Sequence, residues 1–153
     1  MEEDVLRLFL MVREKFHEVK DKVSLLKTYP ELHLISPGIA LKIEEFEGLL
    51  GFKPEFIYKS EEGIYGISVI YTIDDDVTTG IIAHEFAEII ARERGIKDHE
   101  EIDRICVERG FGRELLLALQ SVLPGRVDRM FMDGKDLTKR IERLREILKD
   151  RTS

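Results

Sequence analysis

Apolar residues at Val5, Phe9, Val12, Phe16, Val19, Val23 and Leu26 alternate spacings of four and three, the heptad rhythm of a helical seam. The spacing predicts one long N-terminal helix, from Glu2 to Lys27 within residues 1–30, ended by Thr28-Tyr29-Pro30. Such a seam packs along another helix of the same domain or against a second copy in a homodimer; in so short a chain the first is favoured. Ser36-Pro37 has the form of an N-cap followed by proline at the first helical position, and the helix it opens runs to Leu50 before Gly51. The period then changes. FIYKS (56–60) and IYGISVIYTI (64–73) are rich in β-branched and aromatic residues around the turn Glu61-Glu62-Gly63, which predicts a β-hairpin.

Asp74-Asp75-Asp76 closes the second strand. Asp75 or Asp76 is expected to cap a helix from Val77 to Arg94, where acidic side chains favour the N-terminus. The triplet lacks the alternating ligands and terminal Glu of a calcium loop. After Gly95, Asp98 and Glu101 form a capping box for a helix reaching Glu108. Gly110 and Gly112 precede RELLLALQSVL, which stops at Pro124-Gly125. A last helix (135–153), capped near Asp136, carries Leu137, Ile141, Leu144, Ile147 and Leu148 on one face and is a partner for the first helix. These elements predict an α+β fold, mostly helical with one small sheet. The chain forms a single domain, 1–153, whose two terminal helices pack on or beside a 37–123 core.

At 153 residues the chain can bury a substantial core. Its net charge of −7 argues against nucleic acid or anionic membrane as the main partner. The opening Met1-Glu2-Glu3-Asp4 does not read as a signal peptide, and no apolar run is long enough to span a bilayer. The single cysteine, Cys106, cannot form an internal disulfide, which points to a reducing cytoplasm. On its apolar helix face it reads as a core residue rather than a nucleophile. The chain has no Asn and one Gln, Gln120, beside 36% charged residues; depletion of labile amides with abundant charge is a thermophile signature.

The candidate chemistry lies in IIAHEFAEII (81–90). At a hundred degrees per residue, Ile82, Phe86, Ile89 and Ile90 form one apolar side. His84 and Glu88 stack on the opposite side beside Glu85 and Ile81, flanked by the small residues Gly80, Ala83, Ala87 and Ala91. A helix apolar or small nearly all round is central and buried. Carboxylates there need compensation, which either a divalent metal or a simple His84–Glu88 pair at i, i+4 supplies. His17, near the seam, and His33, in a loop, have no ligand spacing and read as structural or solvated.

SVIYTIDDDVTTGIIAHEFAEII and the downstream HEEIDRICVERG resemble the strand, active-site helix and following helix of zincin metallopeptidases. The similarity is to the gluzincin type, specifically the ImmA/IrrE-type peptidases and archaeal minigluzincins, and covers Ser68 to Gly112. The motif reads His-Glu-x-x-Glu where the family has His-Glu-x-x-His. Aligning Asp103 with the family's Asp puts His99 where the family has its ligand Glu, so His-His-Glu becomes His-Glu-His.

That resemblance implies a zincin-like arrangement, with a small sheet packed on a central active-site helix. It implies metal ligands His84, Glu88 and His99, with Glu100 or Glu101 as alternative third ligands. It also implies Zn²⁺, or Fe²⁺, Mn²⁺ or Ni²⁺ given the extra carboxylate. Glu85 would be the general base, and Asp103 would accept the spare ring N–H of a ligating imidazole. The strand 66–73 would be the sheet edge that receives an extended peptide or protein substrate. Tyr65 and Tyr71 are nominal oxyanion partners. The implied reaction is peptide-bond hydrolysis through a metal-activated water; the alternative is a catalytically silent zincin-fold module for metal binding, interaction or regulation.

Overall fold

Val5, Leu8, Phe9 and Val12 recur at helical spacing and are buried, which fixes the inner face of helix α1 (Glu2–Arg13). The computed structural model describes residues 2–30, 57–71, 74–121 and 134–152. The helix expected from Ser36-Pro37, His33 and the stop at Pro124-Gly125 lie outside them.

The predicted continuation of α1 to Lys27 does not form. Beyond Arg13 the backbone tightens into i→i−3 bonds, with Lys15 N donating to Val12 O at 2.9 Å and Val19 N to Phe16 O at 3.2 Å. A 3₁₀ turn (Lys20–Lys22) leads into strand β1 (Val23–Pro30). The seam misled because tight turns keep the three-residue spacing on one side. Phe16, Val19 and Val23 are buried although none is in the helix, while Leu26 is 53% exposed.

Strand β2 (Ile57–Lys59) and strand β3 (Tyr65–Tyr71) form the expected hairpin. Ser60 closes its turn with its backbone and its side chain: Ser60 N donates to Ile64 O at 2.8 Å, its carbonyl accepts from Gly63 N at 3.0 Å, and its Oγ accepts from Ile64 N at 3.1 Å. Gly63 supplies the left-handed residue, φ 83°. The sheet order is β1-β3-β2, with β1 parallel and β2 antiparallel to β3. Strand β3 is therefore central, and over Tyr65–Ile67 both of its sides are taken, contrary to the edge expected of it. The β1 register shifts between Leu25 and Lys27, leaving Leu26 as the extra residue of a bulge. Its side chain lies over Gly66, where a Cβ would overlap it.

Helix α2 (Asp75–Glu93) is capped by Asp74, not by Asp75 or Asp76. Asp74 is extended, and its Oδ1 accepts from Asp76 N at 2.9 Å and Val77 N at 3.2 Å. Asp75 pairs instead with Arg7 of α1 at 3.1 Å. Helix α2 is central, as its composition predicts, packing on α1, β3 and the two helices that follow. Phe86 stacks on Phe16 at 5.2 Å between ring centroids and lies 5.5 Å from Phe9; Phe16 stacks in turn on Phe111.

Helix α3 (His99–Glu108) has Asp98 as N-cap, accepting from Glu100 N at 3.1 Å, as predicted. Helix α4 (Gly112–Ser121) approaches α2 so closely that a Cβ on Gly80 would overlap the carbonyl of Glu114. Helix α5 (Gly134–Thr152) begins ahead of the expected cap at Asp136. It packs mainly on α3 and α4, through buried Ile141 and Leu144, rather than pairing with the first helix. The architecture is α+β and mostly helical. No helix among the described residues is long and apolar enough to cross a membrane.

Candidate metal centre

Because α2 is buried on nearly every side, its one half-exposed stripe is Ile81, His84, Glu85 and Glu88. Helical geometry stacks residues four apart, and His84 Nε2 lies 3.5 Å from Glu88 Oε2. One donor atom each from His84, Glu85 and Glu88 falls within 4.8 Å of the others. Donors held at zinc-like bond lengths in a tetrahedral shell sit about 3.4 Å apart, so the His84–Glu88 edge already has the spacing an ion needs. Glu88 is steadied by Arg92, whose Nη2 donates to Oε1 at 3.2 Å. On its other side, His84 Nδ1 is buried without a hydrogen-bond partner.

The electrostatics of this stripe are those of a site short of positive charge. Burial pulls the affinity of His84 for a proton down, and Arg140 does the same. The bond to Glu88 and the charges of Glu85 and Glu88 outweigh both, so its pKa is raised. The reciprocal effect holds Glu88 down at about 2: His84 is the largest cause, burial opposes it, and Arg92 adds to it. A histidine and a carboxylate that draw cations this strongly can share a proton or a metal ion.

His99 does not belong to the donor group. It is exposed on the first turn of α3, and its pKa is lowered by burial of part of the ring and by Arg140 and His84, against the pull of Asp103 and Glu88. It therefore shares the electrostatic neighbourhood of the stripe without joining it. Asp103 is 3% exposed, and both its oxygens are bound by Arg140: Nε donates to Oδ2 at 3.0 Å and Nη2 to Oδ1 at 2.8 Å. The imidazole N–H expected on Asp103 is replaced by a guanidinium. Glu100 is drawn away by Arg104 at 3.2 Å and Arg143 at 3.6 Å, and Glu101 is exposed.

Tyr65 is buried in the sheet at 2% exposure, with the Lys59 ammonium over its ring, so it is a core residue rather than an oxyanion partner. The side chain of Tyr71 lies outside the description. Cys106 is fully buried and its thiol is pushed far up by burial, consistent with a core role. His17 is exposed.

Arg140 is the residue that sequence reasoning passed over. Its signal is a charge set at helical spacing within the apolar face of Ile141 and Leu144. At 1% exposure it is the largest fully buried side chain among the described residues. The chain matches no protein family, no curated protein and no solved structure.

Proposed function

We propose that this chain binds a divalent transition-metal ion through His84, Glu85 and Glu88 and hydrolyses peptide bonds, as a zincin-like metallopeptidase of the gluzincin type with an altered donor set. The observation that carries the metal site is the convergence of these three donors on the half-exposed stripe of an otherwise buried helix. One imidazole with carboxylates suits Zn²⁺ and also accommodates Mn²⁺ or Fe²⁺.

When bound, the ion supplies Lewis-acid polarisation and makes water a nucleophile near neutral pH. His84 and Glu88 hold it from successive turns, and Arg92 fixes the orientation of Glu88. Glu85 offers one oxygen to the donor group; its other oxygen takes the proton of the attacking water and passes it to the leaving amine. His99 has no part in holding the ion in this reading, because it stands outside the group. The resemblance of AHEFAE to a peptidase helix carries the reaction class.

A catalytically silent metal-binding module is the second reading, and one observation favours it. Glu85 lies inside the donor group rather than beside it, which ties up the carboxylate a general base would need. Metal content of protein purified without added metal tests the site. Stoichiometric metal that is lost in His84→Ala and kept in His99→Ala supports it; absence of metal even after reconstitution rejects both readings. Hydrolysis of an unfolded protein substrate then separates them. The peptidase reading requires turnover that falls at least 100-fold in Glu85→Gln, whereas a silent module shows no turnover in either form.

A further inference from the structure

Helix α1 turns its seam inward, with Val5, Leu8, Phe9 and Val12 buried, yet its outer side is not uniformly polar. Leu6, Leu10 and Met11 are 47%, 41% and 44% exposed, three of the five exposed large apolar side chains among the described residues. Single apolar side chains on a surface are ordinary, but several close together on one helix form a patch. At a hundred degrees per residue they share the outer side of α1 with Arg7 and Glu14. Glu14 follows the last residue of α1 and stays on the helical path, its N donating to Leu10 O at 3.4 Å. Both charged side chains are exposed, Arg7 lying 3.1 Å from Asp75 and Glu14 3.8 Å from Lys20. Exposed pairs of this kind contribute little and are easily exchanged for others.

The order of these residues is symmetric. Leu10 and Met11 are adjacent, and Arg7 and Glu14 stand at equal distances outside them along the chain. A two-fold contact between identical helices needs that symmetry, because residue i of one copy meets residue j of the other wherever j meets i. With two α1 helices antiparallel and the axis level with the Leu10–Met11 step, each Leu10 faces Met11 of the second copy. Each Arg7 then faces Glu14 of the second copy, so both ends of the apolar centre bring opposite charges together. A parallel pairing would set Arg7 against Arg7 and Glu14 against Glu14. The patch is small beside the interfaces of obligate dimers, which matches a weak and concentration-dependent association.

We infer that the outer face of α1 docks a second copy of this chain, forming an antiparallel two-fold dimer with Leu10 and Met11 at its centre and Arg7 paired with Glu14 across it. The contact does not depend on the metal chemistry proposed for α2. Sedimentation equilibrium of the full chain from about 1 to about 500 μM tests it. Wild type is expected to dimerise reversibly over that range. Leu10→Glu places charge in the apolar centre and should leave monomer alone. Arg7→Glu and Glu14→Arg each set like charges together at both ends, and each should weaken self-association at least about 10-fold. Mixed in equal amounts, these two variants should associate with each other more tightly than either does with itself, because both cross-pairs are again opposite in sign.

All these positions are exposed, and circular dichroism checks that each variant is folded; Leu10→Gln gives the same readout should Leu10→Glu disturb the helix. A wild type that stays monomeric throughout overturns the inference. In such a monomer, shielding of Met11→Cys from a maleimide would assign the cover to residues 31–56 of the same chain, and ready labelling would leave the face to a different protein. A dimer that Leu10→Glu does not dissociate, or charge variants that fail to pair when mixed, overturns it as well.

Discussion

Two buried or half-buried carboxylates one turn after a histidine meet different partners here. Glu88 shares His84 and Arg92, whereas Asp103 is taken by Arg140. For Asp103 the energetic consequence is a strong dependence on a single residue. Removing Arg140 strands a carboxylate in the interior, and Arg140→Ala is expected to lower unfolding free energy by about 3–5 kcal/mol. Replacing both partners by apolar residues, as in Asp103→Leu with Arg140→Met, should restore most of that loss, and urea denaturation of the two variants measures the difference. His84, Glu85 and Glu88 were legible as a polar stripe because one helix places them, and helical periodicity is a local property. Asp103 and Arg140 meet across 37 positions of sequence, so only the packing of α5 on α3 could reveal that a guanidinium holds this carboxylate.

The elements repeat that distinction between local and distant causes. The hairpin, the capped start of α3 and the buried character of α2 follow from nearby residues and were readable. Strand β1 was not, because its conformation is settled by pairing with β3, from Val23 opposite Tyr65 to Pro30 opposite Tyr71. Residues Val5 to Val23 of the seam were read correctly as buried and wrongly as one helix, since burial does not distinguish a helix from a turn that keeps the same side inward. At the start of α2 the cap is a one-residue matter. Asp74→Ala removes acceptors for two backbone N–H groups and should cost about 1 kcal/mol, whereas Asp76→Ala should cost less than half of that, by thermal or chemical unfolding. Gly80 sets the distance between α2 and α4. Gly80→Val would force those helices apart, and a fall in melting temperature larger than that of the cap variant is expected.

At the scale of the molecule, Glu18 joins the turn after α1 to the ends of two other helices. Arg109 donates to Glu18 from Nη1 at 2.6 Å and also from Nη2, while Arg94 reaches the same carboxylate at 3.4 Å. The hydrogen bond from Arg109 is the main reason the Glu18 pKa is held at about 2 instead of 4.5, with burial opposing. A carboxylate with a depressed folded-state pKa contributes its stability above the unfolded value and loses it as pH falls through the folded one. Stability should therefore decline between about pH 4.5 and about pH 2, and Glu18→Gln should flatten that part of the curve in chemical denaturation at stepped pH. The contribution is modest because Glu18 is 43% exposed and screened by solvent.

The three proposed donors span five consecutive residues of α2, so an ion bound there closes almost no loop and cross-links no distant parts of the chain. It would act as a brace within one helix instead of a staple between layers. Amide exchange in partly opened states should show this: with Zn²⁺ present, protection should rise in α2 more than in the sheet, whose strands can detach without disturbing the ion. Equal gains in α2 and in β1–β3, followed by hydrogen–deuterium exchange, would contradict it.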